Sequence, residues 1–147
     1  MFKPESYRLE QTSIEKLQDI FSDDFPQSLV KLWSERELQG KCFWICKGLE
    51  PVAFVLVEET DRGVVNRGLF VKFSEHSQGL GQRLLDHVHT TYSSEFIWTN
   101  ITKGSEGIYR KNGYIELGER NGLNQIIAYY PNGKESQDYI NYLKSKL

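Results

Sequence analysis

The stretch HSQGLGQRLLDHV, His76–Val88, decides how this chain is read. Leu80, Leu84, Leu85 and Val88 recur on one stripe at helical spacing, so a helix begins near Leu80. Gly79 and Gly81 sit at its start. Glycine disfavours a helix interior, but it permits positive φ and lets a ligand approach bare backbone. Before the glycines, Leu69–Phe73 ends an extended run and Glu75–Gln78 forms a polar loop. The first N–H groups of a helix have no partner inside it and point outward at the positive end of the helix dipole. A phosphate or pyrophosphate would satisfy several at once. Gln82 and Arg83 place a donor and a positive charge nearby, unless they simply face water. The bland alternative is that the glycines only turn the chain tightly. Two phosphate loops are excluded. There is no GxxxxGK[ST], and the dinucleotide fingerprint would need a third glycine where Leu84 stands.

Working outward, Tyr7–Leu9 reads as a short first strand. Thr12 with Glu15 suits a capping box, and Ile14, Leu17, Ile20 and Phe21 follow at helical spacing. Pro26 opens a second helix with Leu29, Leu32 and Trp33 on its stripe, and Gly40 ends that region. The period then changes. Lys41–Lys47 and Val52–Glu58 flank Gly48-Leu49-Glu50-Pro51 as an antiparallel hairpin. Asp61-Arg62-Gly63 turns into a further strand, Val64–Phe73. Asn66 and Gly68 interrupt it, which suggests a bulge or a close backbone approach. After the glycine-led helix come a strand at Phe96–Ile101 and a short helix at Ser105–Arg110, stopped by Asn112-Gly113. Tyr114–Leu117 and Gln125–Tyr130 are strands joined through Asn121-Gly122. Tyr139, Ile140, Leu143 and Leu147 mark an amphipathic tail helix near 136–147. The fold class expected is α/β of the α+β kind: a mixed, mostly antiparallel central sheet flanked by helices.

The totals agree with one domain spanning residues 1–147. With 39% hydrophobic and 26% charged residues, the chain is globular rather than disordered. A formal net charge of -2 argues against a nucleic-acid partner, which would want a basic face. Cys42 and Cys46 would share a strand face, too far apart for a disulfide, and read as reduced packed thiols. No window is long and apolar enough to span a membrane, and MFKPESYRLE has no signal-peptide core, so a cytoplasmic location is expected.

The chain resembles the GCN5-related N-acetyltransferases (GNAT), whose central signature is Arg/Gln-x-x-Gly-x-Gly/Ala. Here the matching residues are His76-Ser77-Gln78-Gly79-Leu80-Gly81, after a strand carrying Gly68-Leu69-Phe70-Val71. A second marker, Tyr-x-x-x-Gly-Phe/Tyr, is matched by Tyr109-Arg110-Lys111-Asn112-Gly113-Tyr114. The resemblance runs from about Tyr7 to Tyr130. It implies the acyl-CoA N-acyltransferase fold and transfer of an acetyl group from acetyl-CoA, as a substrate, to an amine. It also implies roles. Backbone amides of Gln78, Gly79, Leu80, Gly81 and Gln82, in the loop opened by His76 and Ser77, would hold the pyrophosphate. Leu69 and Val71 would lend main-chain groups to the pantetheine arm, and the N–H of Leu69 or Phe70 would polarise the thioester carbonyl. Asn100 and Ser105 lie where that arm is often contacted. Histidine at position 76 departs from the pattern and would hold phosphate less firmly while neutral.

Acetyl transfer needs a neutral amine, a donor for the developing oxyanion and an acid for the departing thiolate. Tyr109 matches the family's acid; as one of eight tyrosines it also reads as a half-buried packing ring. Glu58, Glu59 and Glu75 are candidate bases, each read first as an ordinary solvated carboxylate. His87 and His89 are expected on the surface. The chain has three histidines and no cluster at metal-ligand spacing. The acceptor would be chosen by Phe21–Leu38 and by the loops at Thr60–Asn66 and Arg120–Asn124. In the first of these, Asp23, Asp24, Glu35 and Glu37 beside Phe25 and Trp33 would suit a small cationic amine, or merely form a solvated helix face. A homodimer is also expected as a candidate assembly. The rival readings are an acyl-CoA sensor or interaction module without turnover, and a structural protein.

Overall fold

The computed structural model describes residues 6–21 and 39–147. The helix expected from Pro26, with Leu29, Leu32 and Trp33, lies outside them, as do Asp23, Asp24, Phe25, Glu35 and Glu37. Period-two burial builds the sheet. In β2 (Gly40–Lys47) Phe43 and Ile45 point to one face, and Cys42, Trp44 and Cys46 to the other. β3 (Glu50–Thr60) continues the alternation, with Val55 and Val57 facing one way and Phe54 and Leu56 the other. β1 (Tyr7–Thr12) pairs with β2, and β4 (Gly63–Val71) with β3, both antiparallel. Gly40 opens β2, and Pro51 lies inside β3, opposite Cys46 at a register shift, rather than in the turn. The turn before β4 requires glycine: Gly63 holds φ 92, and a Cβ there would meet the Phe96 carbonyl oxygen at 2.3 Å.

β5 (Ile97–Thr102) joins β4 in parallel, and β7 (Gln125–Tyr129) and β6 (Ile115–Leu117) complete an order of β1-β2-β3-β4-β5-β7-β6. One face of this mixed, mostly antiparallel sheet is covered by α2 (Leu80–Thr91), whose stripe Leu80, Leu84, Leu85 and Val88 is fully buried, and by α3 (Glu106–Lys111). The other carries α1 (Ile14–Ile20) through Leu17, and α4 (Gln137–Lys144) through Leu143.

Several sequence expectations are corrected. Ser13, not Thr12, caps α1: its hydroxyl accepts from the Lys16 N–H, while Thr12 is drawn into β1 opposite Cys42. Ile20 stays 45% exposed, while Leu17 and Phe21 are buried in the core and Ile14 packs against it. In the tail, Leu147 is 63% exposed, and Tyr139 instead stacks on Phe96. In the β6–β7 connection the left-handed residues are Gly118, φ 72, and Asn124, φ 60. His87 and His89 are half-buried, not surface residues. The His87 ring packs against Phe43, and the His89 ring stacks on Tyr130 at 3.7 Å while its Nε2 lies 2.7 Å from the Tyr114 hydroxyl. Cys42 and Cys46 are free and buried, and burial pushes the Cys42 thiol up to about 12. Neither thiol is poised as a nucleophile.

Candidate active site

The interruption at Asn66 and Gly68 is a bulge. Leu56 faces Gly68 and Val57 faces Asn66, so Arg67 is the extra residue. The bulge falls where the sheet opens. β4 and β5 pair only at Val64–Ile97, Val65–Trp98 and Asn66–Thr99. Beyond that, among the described residues, the two strands part and leave the β4 edge from Arg67 to Val71 without a strand across the gap. Such an edge offers main-chain donors and acceptors to an extended ligand, much as an added strand would take them.

One end of the gap leads to the start of α2. A cleft of about 590 Å³ runs there, bounded by Leu69, Val71, the Ser77–Gln82 turn and the Gly107–Lys111 side of α3. The N-cap residue is Gly79 at φ 73, and no side chain caps the helix. The first N–H groups therefore open into the cleft, an arrangement suited to an anion. Ser77 also holds positive φ, 73, without being glycine, a strain typical of functional loops. The two glycines differ. A Cβ at Gly79 would meet nothing within 4 Å, so its conformation is what demands glycine there. A Cβ at Gly81 would come within 3.2 Å of Ile108 Cδ1, so that glycine lets α2 and α3 approach.

Side chains around this end are mostly engaged elsewhere. The Nε2–H of His76 donates to the Val71 carbonyl at 3.0 Å, which bends the ring back onto the loop's own backbone. Gln82 exchanges amide hydrogen bonds with Asn112 at 2.7 and 2.9 Å, so only its backbone N–H serves the cleft. Arg83 donates to the Tyr7 carbonyl. Glu75 is no solvated carboxylate. It accepts from the Tyr7 hydroxyl at 2.7 Å and pairs with Lys47 at 3.3 Å, mooring the loop to β1 and β2. The Tyr7 hydrogen bond leads in holding its pKa below the ordinary carboxylate value, and Lys47 adds to this. The cation that does line the cleft is Lys111, which the sequence reading passed over; its signal was a basic residue in the last turn of α3.

The other end widens into a chamber of about 270 Å³ between Phe54, Phe70, Thr99, Asn100, Arg67 and Tyr109. Tyr109 is 3% exposed. Burial raises its phenol pKa far above the usual value, a trend a hydrogen bond with Thr99 opposes, so the hydroxyl stays protonated at any physiological pH. Tyr114 packs edge-on against its ring at 4.8 Å. Asn100 lies on the chamber wall. The Ser105 hydroxyl accepts from the Thr102 N–H at 3.1 Å, which shapes the turn into α3. Leu69 and Phe70 fall between the two spaces.

The two glutamates at the end of β3 separate by alternation. Glu59 faces α2, accepting from the Tyr92 hydroxyl at 2.7 Å, and is not brought to the chamber. Glu58 lies on the opposite face, where Arg67 Nε and Nη2 bond its Oε1 at 2.8 and 2.7 Å. Among the described residues no group of His, Cys, Asp and Glu is placed to hold a metal ion. No described helix is long and apolar enough to cross a membrane.

Known proteins agree with this arrangement. The ribosomal-protein-S18-alanine N-acetyltransferase from Escherichia coli superposes with a TM-score of 0.69 at 17% identity, covering 90% of this chain and 98% of that one. A Bacillus subtilis acetyltransferase in complex with CoA gives 0.63 at 20% identity, covering 85% and 98%. The PaiA N-acetyltransferase from Thermoplasma acidophilum, in complex with coenzyme A, gives 0.62 at 13% identity, again covering 85% and 98%. These likenesses establish the fold. No curated protein sequence matches the chain. The family model described as acetyltransferase (GNAT) domain matches residues 8–131, and with most of its length accounted for in this way, the chain belongs to the GNAT acetyltransferases.

Proposed function

We propose that the protein transfers the acetyl group of acetyl-CoA to a primary amine by direct attack in a ternary complex. The parting of β4 and β5 carries this reading. It joins an uncapped helix start to a chamber that ends on a buried phenol. The residues fit the substrate along its length. N–H groups of Gly79–Gln82 take the pyrophosphate, that of Gln78 being turned to the Glu75 carbonyl at 3.4 Å instead, and Lys111 adds a charge to that end of the cleft. Main-chain groups of Leu69 and Val71 bond the pantetheine amides, and the N–H of Leu69 or Phe70 supports the developing oxyanion. Tyr109 donates its proton to the departing sulfur. Glu59 points away, and Glu58 is held by Arg67, so the amine attacks as the free base, with its proton leaving through water. Two unpaired thiols support a reducing, cytoplasmic setting.

The test has two steps. Saturating acetyl-CoA at 100 times its Kd would stabilise the fold by about 2.7 kcal/mol. For a chain of this size that raises Tm by roughly 5–10 °C. Release of free CoA is then followed with a panel of amines. An absent thermal shift refutes the assignment of the cleft. A shift with no turnover on any amine favours a sensor over an enzyme.

A further inference from the structure

The chamber beside Tyr109 has a polarity of its own. Of the described residues that line it, Arg67 alone carries a charge, and no described carboxylate lies on its wall. The bulge pushes this arginine out of the strand pairing, at the point where β4 and β5 separate. Glu58 holds the guanidinium from beneath: its side chain is 9% exposed, that of Arg67 24%. Only Nε and Nη2 are spent on Glu58, both on one oxygen, so the guanidinium keeps further N–H donors. The Trp98 ring, 5.8 Å from the guanidinium carbon, gives it a flat support. Asn66, the next residue back, also lines the chamber. It is 3% exposed, and neither Nδ2 nor Oδ1 has a hydrogen-bond partner. A buried amide left unpaired in a wall is a group that a ligand oxygen can satisfy.

We infer that the acceptor is an amine with a carboxylate close to its nitrogen, the class of free amino acids, and that Arg67 reads that carboxylate. This rests on the proposed acetyltransferase activity. The amine must reach the thioester beside Tyr109, and in a space of about 270 Å³ its near substituents meet Arg67. A guanidinium fork pairs naturally with a carboxylate. A polyamine would instead bring a second cation against an arginine, with no described carboxylate on the wall to receive it. Glu58 orients the fork.

The experiment compares matched amines with the full chain and acetyl-CoA: an amino acid, its carboxamide, the decarboxylated amine and phosphoethanolamine. The carboxamide is the more available free base at a given pH, so chemistry alone favours it. A kcat/KM at least tenfold higher for the carboxylate is expected. In Arg67→Lys, which keeps the charge but loses the fork, that preference should fall toward unity while the thermal shift with acetyl-CoA persists. A separate readout is stabilisation of the CoA-loaded protein by the amino acid, expected for the wild type and lost in Arg67→Lys. Equal or better use of the carboxamide or the decarboxylated amine overturns the inference and leaves the activity standing. A preference for phosphoethanolamine overturns the carboxylate assignment. No thermal shift with acetyl-CoA, or no turnover on any amine, removes the activity and the inference together.

Discussion

Lowering the pH should destabilise this protein through His89. The ring is half-buried, stacked on Tyr130, and its Nε2 is hydrogen-bonded with the Tyr114 hydroxyl. Burial dominates, and only Asp86, one turn earlier on α2, works against it; the imidazole pKa drops from 6.5 to about 4. The unfolded chain therefore binds a proton at a pH where the folded one refuses it. The contribution is complete above pH 6.5 and is lost as pH falls toward 4. Going to pH 5 crosses about 1.5 units of that window, worth up to about 2 kcal/mol at 1.36 kcal/mol per unit. Partial solvent access halves this to about 1 kcal/mol. In a domain of this size that is roughly 2–4 °C in Tm. Urea titrations of wild type and His89→Gln at pH 7.5 and 5.0 read the difference, because the glutamine amide offers Tyr114 a donor or an acceptor and does not titrate. The wild type should lose about 1 kcal/mol more than the variant. Identical pH dependence in the two proteins refutes the reasoning, as does an imidazole that titrates near 6.5 by NMR in the folded protein.

Other substitutions probe the site directly. Gly79→Val forces a β-branched residue to φ 73 and should cost about 1–3 kcal/mol in stability and most of the affinity for acetyl-CoA, read by calorimetry. Unchanged affinity would remove the loop from the binding site. Tyr109→Phe should lower kcat by about 100-fold with little change in KM for acetyl-CoA; an unaltered rate ends its role as acid. Tyr7→Phe should loosen the loop by releasing Glu75, lowering Tm at pH 7. Because that carboxylate's pKa is depressed in the fold, the loss should shrink as pH falls through it, and a deficit that does not vary with pH counts against the mooring. Leu84→Ala, at a fully buried position, should cost about 2–5 kcal/mol by chemical denaturation.

Much of this was legible in the sequence because it depends on local pattern. The α2 stripe, the hairpins and the glycine at φ 73 follow from periodicity and backbone sterics, which act over a few residues. The bulge was visible as Asn66 and Gly68 breaking a strand, although the displaced residue proved to be Arg67 between them. What stayed hidden depends on facing and distance. Glu58 and Glu59 look alike in a row, yet the pleat sends one to Arg67 and the other to Tyr92. Ser13 and Thr12 are equivalent caps by chemistry, and strand pairing with β2 chooses between them. His89 looks like a polar residue on an amphipathic helix until Tyr114 and Tyr130, far along the chain, close over it. Gln82 and Arg83 sit beside the anion-binding turn, but their side chains reach Asn112 and Tyr7 instead.

With only three residue pairs joining β4 to β5, backbone bonding alone holds the halves of the sheet as if on a hinge. The splint across that seam is α2. Leu80, Leu84 and Val88 grip the core around β2, β3 and β4, while Leu85 grips Ile101, Tyr114 and Ala128 on the far side. The helix whose first turn meets the anion thus also sets the width of the opening. A shift of α2 by a fraction of a turn would change grip and gape together.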